Sequence, residues 1–309
     1  MIFASKTTWT VIVIAALCAL PATLTGYQTS LATLILIYAL LAMSIDIMAG
    51  YAGRTPLCHG AIFGVATYVV MYYVTSAGGS PWLGMLYGIG MAAAVSLIFA
   101  LLAVRTSGVY FLLLTLALGM VIWGVCQRWT SVTGGENGLR GTVRPDWLLD
   151  PVRFYFFVLT IALIATLIMW RFVNSPFGLS LKGIRESESR MKSLGYQSTR
   201  HLVIGFVFSG IMAGVAGVLY ALFNSFVSPS SVALAQSVKG LLMAIIGGVG
   251  TLFGGIVGAA AIIILENVVS SFTERWSMVL GFLFVFTMIF APTGIVGKLR
   301  TIKWFKKSD

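Results

Sequence analysis

Charge is what this 309-residue chain has least of: Asp, Glu, Lys and Arg together make up only 9% of it. A soluble domain of ordinary composition carries roughly 25%. Histidine and cysteine are scarce too, with His59 and His201, and Cys18, Cys58 and Cys126. The histidines lie far apart and the cysteines lack metal-ligand spacing, so neither a catalytic set nor a metal centre is expected. No G-x-x-x-x-G-K-[ST] phosphate loop is present, which excludes ATP binding of that kind. If ATP drives this protein, a partner hydrolyses it. Acidic residues number 9 against 20 basic ones, a net charge of +11. In a chain this apolar, the excess fits the positive-inside rule of membrane proteins better than nucleic-acid binding.

Apolar residues fill the space, at 59% of the chain. They fall in continuous runs close to the roughly 20 residues a helix needs to cross a bilayer. Backbone groups in lipid must bond internally, and runs without alternation select helices over barrel strands. The expected fold is therefore all-α and polytopic. About ten transmembrane segments are read, near 9–26, 31–49, 57–74, 81–104, 108–127, 153–172, 201–222, 237–247, 254–272 and 276–296. The first follows Lys6 and resembles a signal peptide, but no clear cleavage site follows, so a retained helix is expected. The eighth is short and glycine-rich, as a half-helix or re-entrant segment would be. With the N-terminus inside, fourteen of the twenty Lys and Arg fall on the cytoplasmic side and five outside. Lys239, the last, lies near the outer end of span eight. Both termini are thus expected in the cytoplasm. The chain reads as a single transmembrane domain, 1–309, with halves of about 1–150 and 151–309.

Between spans six and seven the hydrophobicity breaks. Residues 175–195 read SPFGLSLKGIRESESRMKSLG, polar, basic and helix-forming. Ser175 can cap a helix that Pro176 begins and Gly195 ends. Glu186–Arg190 and Glu188–Lys192 have the favourable i,i+4 order. Such a helix either docks a partner or lies on anionic lipid. Glycine clusters mark two other places. Gly50 and Gly53 precede Gly60 and Gly64, and some two hundred residues later Gly247, Gly248 and Gly250 precede Gly254, Gly255 and Gly258. Matching interruptions in two halves suggest an internal repeat with glycine-broken helices beside a translocation path. Ordinary small-residue helix packing explains them as well, especially Gly254, Gly258 and Ala259. Asp46 and Glu266 are acids within or near spans, where charge is costly and marks function or an internal pair. Arg54 is the expected partner of Asp46. His59 reads as a structural hydrogen-bonder before a proton relay.

The residues now resemble a known family. GYAGRTPLCHGAIFG (50–64), SGVYFLLLTLALG (107–119), TGGENGLRG (133–141), IRESESRMKSLG (184–195), GGVGTLFGGIVGA (247–259) and FAPTGIVG (290–297) occur in order across about 35–297. Their order and spacing resemble permeases of the branched-chain amino-acid ABC importers, of the LivM type. The resemblance implies a permease of the bacterial inner membrane that pairs with a second, LivH-type permease. It also implies two cytoplasmic ATP-binding subunits, which hold ATP and Mg while this chain holds no cofactor, and a periplasmic solute-binding protein. By this likeness Ile184, Arg185, Glu186, Glu188, Leu194 and Gly195 belong to the helix that couples to the ATPase. Where the family usually has two alanines, this chain has Arg190 and Met191. The path falls to Gly53, His59, Gly60, Gly64, Gly247, Gly248, Gly250 and Gly254. Branched-chain or other hydrophobic amino acids are the expected cargo, with urea or short amides as the alternative. A proton-coupled transporter using Asp46 or Glu266 is the rival from another class.

Overall fold

The computed structural model describes residues 25–272 as a continuous run, with Pro21 and isolated positions between 278 and 294. The expected first span at 9–26 and tenth at 276–296 lie almost wholly outside the described residues. The rest is helical. Helix α1 spans Gly26–Asp46 and runs on into a π-helical turn, Ile47–Tyr51. Then come α2 (His59–Thr75), α3 (Pro81–Ala103), α4 (Gly108–Arg128) and α5 (Pro151–Val173). The polar segment forms α6 (Pro176–Glu186) and α7 (Glu188–Ser193). Helices α8 (Ser198–Asn224), α9 (Leu234–Gly247) and α10 (Gly254–Ser270) complete the described bundle. Six of these stretches are long and apolar enough to cross a membrane, and α10 is apolar but shorter. The expected figure of about ten goes beyond that count.

Local chemistry sets the helix starts. Thr25 and Gln28 form a capping box on α1, while Ser80 and Asp150 cap α3 and α5 just before a first-turn proline. Packing then sorts the helices. Helix α8 lies against α2 and α3, and α1 lies against α10, α8 and α5. Helices α1 and α8 are mostly buried, whereas α3, α4 and α5 turn long Leu, Ile and Val side chains outward. An apolar outer face of that kind suits lipid.

Two ends can be told apart. One carries α6, α7 and the turn Gly248–Phe253. The other carries a two-stranded antiparallel ribbon, β1 (Leu139–Arg140) with β2 (Phe226–Val227). There Arg144 donates to the carbonyls of Leu222 and Phe223 at 2.5 and 2.6 Å, closing the end of α8. Its guanidinium sits 4.0 Å over the Phe154 ring, and burial lowers its pKa from the usual arginine value.

Helix α2 starts inside the bundle. Arg54 donates to the Val104 carbonyl at 2.7 Å and to that of Thr106, level with the end of α3. Leu57 N–H already reaches Thr115 Oγ1 at 3.1 Å, two turns up α4. The chain from 55 to 58 joins these two levels without a helix. Non-helical backbone at such depth survives only where protein covers it.

Candidate functional site

The polar segment is two helices meeting at a corner. Ser175 Oγ accepts from Gly178 N–H at 3.3 Å, as its capping role requires. Leu181 and Ile184 are buried and anchor α6 to the bundle. At Ser187 the backbone turns extended (φ −162°, ψ 101°), and its hydroxyl caps α7 by accepting from Arg190 N–H. This breaks the single helix expected at 175–195. Glu186 and Arg190 fall on different helices, and no ion pair joins them among the described residues. Glu188 does meet Lys192, at 2.9 Å, and also meets Arg54 at 2.9 Å. The Lys192 hydrogen bond, with Arg54 nearby, holds the Glu188 carboxyl below the usual range against the opposing effect of burial. Met191 packs across Gly183, so this departure from the family pattern is taken up inside the chain, while Arg190 faces outward. Leu194 is 68% exposed, and Gly195 closes the segment at φ +86°.

Arg185 leads inward from this surface. Its guanidinium donates to the Gly50 carbonyl in the π turn, and its stem lies over Gly53, which has φ +68°. Lys182 adds a second link, 5.1 Å from the Tyr51 ring centroid. Directly behind, Asp46 accepts Gly250 N–H at 2.6 Å and Leu252 N–H at 2.9 Å. Charge-assisted bonds of this type are about twice as strong as neutral ones. They hold the turn between α9 and α10, including buried Leu252 in the left-handed region at φ +49°. A β-carbon on Gly50 would strike the Gly250 backbone, so the two distant glycine clusters touch where neither has a side chain. Asp46 thus bonds backbone some 200 residues away, and Arg54, its expected partner, pairs with Glu188 instead.

The other glycines line the same seam or pack helices. Gly60 N–H donates to Ser237 Oγ at 3.0 Å, and Gly64 lies against Ser231 and Val232. Gly248 turns the chain at φ +116°. Gly247 and Gly254 touch each other where α9 meets α10, a small-residue contact between helices. His59, fully buried, bonds Ser209 Oγ through Nε2 at 2.6 Å. Ser209 donates its one proton to the Ser44 carbonyl at 2.5 Å. His59 Nε2 is therefore the donor, and Nδ1 is a bare acceptor with no partner among the described residues.

Toward the ribbon end lies a second charged place. Lys239 Nζ meets Glu266 Oε2 at 2.5 Å, and sits 4.6 Å from the Tyr38 ring centroid. Gln236 donates to Tyr38 Oη at 2.8 Å. The pair edges a cavity of about 350 Å³ shared by α1, α8, α9 and α10. Sequence reasoning singled out Glu266 for function, placed Lys239 near the outer end of its span without a role, and passed over Tyr38 and Leu252. Only the unusual cost of a lysine inside an apolar run could have flagged Lys239.

Residues 27–288 match the family model described as branched-chain amino acid transport system / permease component. LivM of Salmonella typhimurium, a high-affinity branched-chain amino acid transport permease protein, is 26% identical over 300 residues, spanning 88% of this chain and 71% of that protein. LivM of Escherichia coli K12 is 26% identical over 297 residues, spanning 87% and 70%. LivH of Salmonella typhimurium is 24% identical over 286 residues, spanning 84% and 91%. No solved structure matches. With its apolar helices and a match across most of its length, this multi-pass membrane protein belongs to the branched-chain amino acid transport permease family.

Proposed function

We propose that the chain is a permease subunit of an ATP-driven ABC importer that brings branched-chain or other hydrophobic amino acids into the cytoplasm. It sits in a bacterial inner membrane with about ten spans and both termini cytoplasmic. The α6–α7 end then faces the cytoplasm and the ribbon end faces outward. A LivH-type permease completes the path, two ATPase subunits bind ATP and Mg and hydrolyse ATP, and a periplasmic solute-binding protein delivers cargo. This chain supplies no catalytic group.

The observation that carries this reading is the link from Arg185 on α6 to the Gly50 carbonyl, beside Asp46 and its grip on Gly250 and Leu252. A push on α6 from below reaches both glycine turns through one side chain. Closure of the ATPases would move α6 and α7, and the turns would shift α1 against the α9–α10 hairpin. Asp46 bonds backbone N–H groups and Glu266 pairs with Lys239, which supports this reading over proton carriage. Arg185→Glu should abolish ATP-dependent uptake while membrane insertion stays intact, because it sets a carboxylate against a carbonyl and against Asp46. Wild-type uptake by that variant would sink the coupling assignment.

A further inference from the structure

We propose that the cavity edged by Lys239 and Glu266 is a receiving site for the zwitterionic head of a free amino acid. Lys239 takes the α-carboxylate and Glu266 takes the α-ammonium. The inference rests on the importer reading above and adds to it a place and a chemistry of selection.

The argument is one of charge exchange. The pair lies in an apolar bundle at the meeting of α1, α9 and α10, where parting two charges without replacement is very costly. A zwitterion removes that penalty. Its carboxylate replaces Glu266 at Lys239, its ammonium replaces Lys239 at Glu266, and the net charge of the site stays the same. No covalent bond forms or breaks. Urea, an uncharged amide, offers neither charge and would leave the pair closed. A carboxylate alone or an amine alone would satisfy one partner and strand the other.

The surroundings fit this use. Lys239 is steadied by the Tyr38 ring, whose hydroxyl is fixed by Gln236, so the ammonium keeps its place when Glu266 turns away. Leu31, Leu34 and Ile263 supply an apolar wall for an aliphatic side chain. The volume, about 350 Å³, lies at the small end of the roughly 300–1,000 Å³ usual for ligand sites. Phe223 and Asn224 place the cavity at the outward end of α8, where cargo would first arrive.

The test is cysteine protection in the complete importer, in membranes. Leu34→Cys is made with Cys18, Cys58 and Cys126 replaced by serine, and labelled by a water-soluble maleimide. Millimolar L-leucine is expected to slow labelling at least threefold, and millimolar urea to leave it unchanged. Lys239→Met and Glu266→Gln should each abolish the protection. Asn267→Cys, on another wall, serves if the first cysteine variant does not insert. No protection by leucine at either cysteine, equal protection by urea, or protection that persists in both charge variants would overturn the proposal. Uptake is measured separately on the unmodified complex. An importer that takes up leucine yet shows no protection loses only the receiving site. One that takes up urea but not leucine loses the amino-acid reading itself.

Discussion

Two charged clusters, one at each end of the described bundle, are built differently. Asp46 and Arg185 spend their charges on backbone: the N–H groups of Gly250 and Leu252 and the carbonyl of Gly50. Lys239 and Glu266 spend theirs on each other, beside a cavity. A charge bonded to backbone fixes where the chain goes and has nothing to gain from a ligand. A charge bonded to another side chain can change partners. The first arrangement suits a joint that transmits motion, the second a place where a solute is exchanged.

Asp46→Ala should break this contrast most severely. It strands two N–H groups and leaves Arg185 facing no acid, and each charged hydrogen bond lost costs about 1.5–3 kcal/mol. A sharp fall in thermal stability of the detergent-purified complex and loss of uptake are expected. Asp46→Asn keeps one acceptor oxygen and should fall in between. An Asp46→Ala variant as stable and active as wild type would erase the distinction.

Gly50→Ala comes next. The added methyl meets the Gly250 backbone, and forced overpacking costs about 1–3 kcal/mol. Uptake should drop several-fold while leucine protection in the outer cavity stays intact. Loss of both together would mean the two ends are one unit.

Arg144→Ala asks whether position or partner matters. Arg144 lies at the ribbon end, yet it bonds carbonyls. It should therefore behave like the Asp46 joint, costing about 1.5–3 kcal/mol per charged hydrogen bond lost, with selectivity unchanged. A change in leucine-over-urea preference would contradict that.

The smallest effect belongs to Glu188. Its carboxyl is held below the ordinary value of 4.5, so its contribution is present above that pH and lost as pH falls through the lowered value. The pair with Lys192 is well exposed and should lose only about 0.2–1 kcal/mol, while Gln keeps an acceptor for the Arg54 hydrogen bond. The melting temperatures of wild type and Glu188→Gln should converge as pH drops from 6 through 4 and below. Equal spacing at every pH would mean Glu188 contributes nothing through charge.

The spans were legible because composition alone demands them. The expected segments at 31–49, 81–104, 108–127, 153–172 and 201–222 each lie within a few residues of a described helix. The corner at Ser187 was not, since RESESRMK reads as one helix-forming run and the capping serine that divides it has a neighbour of the same type at 189. The π turn Ile47–Tyr51 left no mark either, for IMAGY holds no breaker stronger than Gly50. The glycine clusters were seen as paired, but their contact at Gly50 and Gly250 is a fact of three dimensions. The partners of Asp46 and Glu266 were missed for a related reason. Backbone N–H groups carry no residue signature, and a lysine 27 positions away lies beyond any helical period.

The Gly50–Gly250 contact has a consequence for genetics. Gly50 is needed because of Gly250's main chain, whereas Gly250 is needed for its own backbone at φ +82°. Loss of Gly50 therefore cannot be repaired by altering Gly250, which has no side chain left to remove. Revertants of Gly50→Ala should map to residues that reposition the loop, such as Asp46, Thr251 or Leu252, and never to position 250.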